Sequence, residues 1–210
     1  MLGDAKLLGG PSQPAFAEYM SSFDSKDYGP ALKSLLAGAP LNEIGPGKQN
    51  SQALAGLQAL TPESLAAGRI LHDRQMALAC IAGLWLRHDY PDQSHGISQG
   101  LDMAEGSYWH GILHRREPDF GNAKYWLRRV PTHAIHLPLL VAARVLANEA
   151  KVPSPAAFLL EEEAWDSQRF VDLCEEALDA SPPLHTLVKK IQLIEWELLF
   201  NHCFALAVGK

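Results

Sequence analysis

Three cysteines in 210 residues, Cys80, Cys174 and Cys203, lie far apart, and no CxxC pair occurs. A disulfide framework and a thiolate metal cage are thereby excluded as organising devices, and buried reduced thiols are expected. Basic residues are the minority, 18 against 24 acidic, giving a net charge of −6, which argues against a general nucleic-acid binder. No segment approaches the ~18 consecutive apolar residues of a membrane span. The opening MLGDAKLLGGPSQPAF lacks the basic region and apolar run of a secretory signal, so a cytoplasmic location with no membrane partner is expected. Strand-like alternation, Asn-Gly hairpins and repeats are missing, as are G-x-S-x-G, P-loop and Rossmann glycine patterns.

What remains is 47% hydrophobic and 20% charged, enough apolar side chain for a sizeable core without staples. The expected fold is all-α, an irregular helical bundle forming a single domain over 15–210 and preceded by a flexible arm at 1–14. Helices are expected over Ala15–Ser22 and Pro30–Ala37, then a Gly/Pro/Asn-rich loop to Gln52. Thr61-Pro62 reads as a helix start with a break near Gly68. Asp73–Arg87, with MALACIAGLWL, is apolar nearly all round and belongs inside a bundle. Pro91 stops it and opens a short segment, DQSHGISQG. Further helices are expected from Pro138, Ser154-Pro155 and Asp166. Ser181-Pro182-Pro183 starts the last, which Gly209 ends. On it Leu184, Leu187, Val188, Ile191, Ile194 and Leu198 keep helical spacing over roughly 35–40 Å.

The densest chemistry lies in SYWHGILHRREPDFGNAKYWLRRV, residues 107–130. Arg115, Arg116, Lys124, Arg128 and Arg129 stand there against Glu117 and Asp119, a local excess of three positives in a chain otherwise at −9. Such a basic island suits a small anionic ligand better than a long polyanion. A helix from Ser107, read as its N-cap, to Arg116 puts His110 and His114 on one face. Glu117 joins that face if the last turn holds. Pro118 ends the helix. A second short helix is expected over Ala123–Val130, with Asn122 as its cap and Asp119 another cap candidate.

Two histidines four apart on a helix have the reach to chelate a divalent ion, with Glu117 a third ligand and His88 and His95 further donors. The pattern is not HExxH, because Gly111 stands where the glutamate would be. Six of the nine histidines fall between 88 and 136. Without a metal, His110 or His114 can act as general acid or base with Glu117 or Asp119 orienting it. Arg115, Arg116, Asp119, Lys124 and Arg128 are then the candidate ligand-binding residues, the arginines as clamps for a carboxylate or phosphate. Adjacent arginines diverge by 100°, so Arg115 and Arg116 cannot share one pocket, and a salt bridge to a neighbouring helix is the plain role for Arg116.

The string at 107–130, with LWLRHDYPDQSHGISQG before it, resembles a family of helical proteins sharing a WHGIxHRREPDxxNAKYW-type core. The resemblance covers about 87–130 and implies an all-α fold but no settled activity. Three readings stay open: a pocket or enzyme for a small anionic molecule, with a divalent metal as candidate cofactor; a non-catalytic ligand sensor; and an interaction protein whose charged stretch is an ion-paired helix junction or a homo-oligomer interface.

Overall fold

The computed structural model describes residues 28–37, 39, 41–130, 132–150 and 154–209. The arm at 1–14 and the helix expected over Ala15–Ser22 lie outside them. The described residues are all-α: eleven α-helices, one 3-10 turn and no strand. They are α1 Pro30–Ala37, α2 Leu54–Gln58, α3 Pro62–Leu65, α4 Arg74–Arg87, α5 Pro91–Ser98, α6 Ala104–Arg116, α7 Phe120–Leu127, α8 His136–Ala150, α9 Phe158–Glu161, α10 Ser167–Ala177 and α11 Pro182–Val208.

Local chemistry explains many of these boundaries. Thr61 and Ser64 cap each other's backbone at the start of α3. That helix lasts one turn, since Ala67 and Gly68 take left-handed φ of 52° and 83°. Asp73 restarts the chain by accepting the Gln75 and Met76 amides at 2.8 and 3.0 Å. Asp166 does the same for α10. Gly209, with φ of 69°, ends α11 in the left-handed conformation that glycine adopts most readily.

The short segment that Pro91 opens is a helix, α5; proline at the first helical position loses no intrahelical bond. Three local expectations need correction. Helix α6 begins at Ala104, so Ser107 is not its cap but a buried residue inside it. Packing sets that start: a Cβ on Gly106 would lie 2.4 Å from the Leu101 carbonyl oxygen. Helix α7 begins at Phe120 and ends at Leu127, and Asp119, not Asn122, is the cap, accepting the Asn122 amide at 3.1 Å. Ser154-Pro155 opens only a 3-10 turn.

The 27-residue α11 forms the spine and packs against α4 and α8. Its length and composition would suit a membrane span, but 67% of its most apolar window is buried in the fold. Helix α4 is buried on nearly every side, as its sequence requires. Trp196 of α11 donates from Nε1 to the Gly83 carbonyl of α4 at 2.8 Å. Trp109 of α6 lies against the bare Gly83 backbone, where a Cβ would come within 2.7 Å of the indole. Helices α6 and α7 form a tight pair: a Cβ on Gly111 would meet Leu127 at 2.6 Å. This close approach, with α5 against α6, positions the histidines.

Candidate metal centre

His110 and His114, one turn apart on α6, stack with ring centroids 4.8 Å apart. His95 from α5 closes over them edge-on, at 4.6 Å from His110 and 5.7 Å from His114. One nitrogen from each of the three rings lies within 4.8 Å of the other two. Donors in a tetrahedral shell with bonds of ~2.0–2.1 Å sit about 3.3 Å apart, so a small inward movement would complete a zinc-like set.

Burial disfavours charge on the two α6 rings. His110 is 2% exposed, and burial together with the neighbouring His114 and His95 pushes its pKa down to about 4. Burial also lowers His114, opposed by Glu117 and Asp119. Neutral imidazoles keep a lone pair for coordination. Trp126 of α7 stacks on His110 at 4.0 Å and 10°. Arg129 in turn lies 5.0 Å over the Trp126 ring.

Hydrogen bonding separates the three. His110 Nδ1 is buried without a partner, and neither His95 nor His110 makes a ring hydrogen bond among the described residues. His114 has neighbours at both nitrogens. Its Nε2 is 3.2 Å from the Asn122 amide, and its Nδ1 is 3.2 Å from Glu117 Oε2, off the line of a good hydrogen bond. Glu117 therefore stands behind His114, the place of a carboxylate that orients a metal-bound histidine. Half-buried His95 and exposed Glu117 and Asp119 put the cluster just beneath the surface, under an acidic rim.

The other sequence candidates are dispersed. His88 caps the end of α4, with Nδ1 3.1 Å from Asn50, outside the three-histidine cluster. Arg115 points into the core, where it pairs with Glu195 and reaches Gln192 at 3.2 Å. Arg116 pairs with Asp89 and donates to the Leu86 carbonyl at 2.7 Å. Lys124 pairs with Asp172, and Asp119 caps α7. Arg128 is exposed.

A second cluster has no signature in sequence spacing. Glu105 Oε1 lies 3.0 Å from His202 Nε2 and 3.5 Å from His133 Nε2, joining residues up to 97 positions apart. The Ile135 amide donates to His133 Nδ1 at 3.3 Å, so the proton of a neutral His133 ring sits on Nε2, facing the carboxylate. With an imidazole on each side, Glu105 is held well below the usual carboxylate range. Among the described residues only His202 makes a hydrogen bond to it; His133 Nε2 stays a buried nitrogen without a partner. Only nearness in space reveals such a group, whereas the His110/His114 pair is visible in the chain.

Compared with known families, curated proteins and solved structures, the chain matches none.

Proposed function

We propose that the protein binds one divalent transition-metal ion, zinc by ligand type, through His95, His110 and His114, and uses it in a reaction of a small molecule with water. The observation that carries this reading is the convergence of three imidazoles, two of them without a hydrogen bond among the described residues. Leaving a buried polar group unsatisfied costs about 1–3 kcal/mol. A shared ion turns that cost into bonding. Three imidazole ligands leave a fourth position for water or substrate and bring the pKa of bound water toward ~7. Glu117 orients His114, and Asn122 lies beside its Nε2, where its amide can position a reactant.

A metal-free general base at His110 is disfavoured, because a pKa of about 4 leaves it a weak proton acceptor at neutral pH. The ion-paired junction remains the better reading for Arg115 and Arg116, whose guanidinium groups hold α6 to Glu195 and Asp89. Site and junction are thus two faces of one helix.

Cobalt(II) substitution tests the centre. The metal-free protein should take up Co2+ with the intense visible absorption of a four-coordinate ion. Glu117→Gln should bind it ~10–100-fold more weakly with the spectrum retained, as expected for loss of an outer-shell partner. A weak six-coordinate spectrum unaffected by His110→Ala would rule the centre out.

A further inference from the structure

The end of α7, the start of α8 and the connection from α9 to α10 line a cavity of about 420 Å3 that is broadly open to solvent, within the size range of small-molecule sites. We propose that this cavity binds a small oxyanion, a carboxylate or phosphate group, through Arg128, Trp165 and His136. The proposal is independent of the histidine centre.

Three observations support it. Arg128 lines the cavity, is exposed, and makes no ion pair among the described residues, unlike Arg115, Arg116 and Lys124. Trp165 is only 7% exposed, yet its Nε1 has no hydrogen-bond partner. An indole N–H is a donor only, so an acceptor alone can satisfy it. His136, the first residue of α8, contributes a second buried nitrogen without a partner, Nε2. Arg128, Trp165 and His136 thus line the same cavity, the last two each with a buried ring nitrogen that has no partner.

The carboxylates in that wall are engaged elsewhere. Asp166 accepts the Gln168 and Arg169 amides at 2.8 and 3.0 Å, capping α10. Glu162 pairs with Arg169. Arg128 lines the cavity without an ion pair among the described residues, and a fork of guanidinium donors matches carboxylate or phosphate oxygens.

The test uses the full-length 15N-labelled protein, titrated with inorganic phosphate and, separately, with acetate. The indole N–H resonance of Trp165, assigned by its loss in Trp165→Phe, should move downfield and saturate. The more tightly bound probe identifies the oxyanion. Arg128→Gln should weaken binding ~10-fold or more, the loss of one charge-assisted contact. Asp166→Asn keeps a competent helix cap while removing a nearby negative charge, so it should bind more tightly. The proposal is overturned if neither probe moves the Trp165 resonance saturably, or if Arg128→Gln binds as well as the parent.

Discussion

Arg115→Leu should destabilise the fold by about 3–5 kcal/mol in denaturant unfolding, the loss typical when one partner of a buried ion pair is removed. The Arg115 side chain is 0% exposed and that of Glu195 is 1% exposed. Burial alone discourages the guanidinium charge, but the Glu195 carboxylate more than offsets it and leaves Arg115 more basic than a free arginine. Without Arg115, Glu195 would keep, among the described residues, only the Tyr108 hydroxyl, which donates to it at 3.2 Å. The double variant Arg115→Leu, Glu195→Leu should recover most of the loss, because a buried ion pair contributes little more than a well-packed apolar pair. A single variant losing under ~1 kcal/mol would mean that water reaches the pair.

His110→Phe should have opposite consequences with and without zinc. Phenylalanine preserves the stack on Trp126, 4.0 Å away, and removes a buried nitrogen that lacks a partner. Metal-free stability should therefore stay within about 1 kcal/mol of the parent, since an apolar group of similar shape can replace an unsatisfied polar one without loss. Zinc should raise the melting temperature of the parent by mass action, worth about 2.7 kcal/mol at a hundredfold excess over Kd. The variant should show no such rise. Thermal unfolding of chelator-treated protein with and without added zinc measures both effects, and an equal rise in the variant would remove His110 from the centre.

The residues that were readable in the sequence are those whose geometry is local. Helical spacing set His110 above His114, and the angle between neighbours on a helix separated Arg115 from Arg116; both arrangements recur in the fold. The helix starts at Thr61 and Asp166 are equally legible, because each cap acts within three residues. The start of α6 was not, because the fit of Gly106 against Leu101 outweighs the cap preference of Ser107. His95 is less legible in the chain, since its segment must be helical and fold onto α6 to bring the third ring into place. Glu105 and His202 meet only through tertiary packing. The side chain facing Arg115 was equally hidden: Glu195 looks like an ordinary helical charge until α11 is seen to run through the core.

Direct metal analysis of protein purified without a histidine tag or added metal tests the central claim most closely. One zinc-like ion per chain should be found, lost in His95→Ala, His110→Ala and His114→Ala and retained in His202→Ala. Metal-free wild-type protein that fails to take up zinc, or an ion that survives His110→Ala and disappears in His202→Ala, would contradict it.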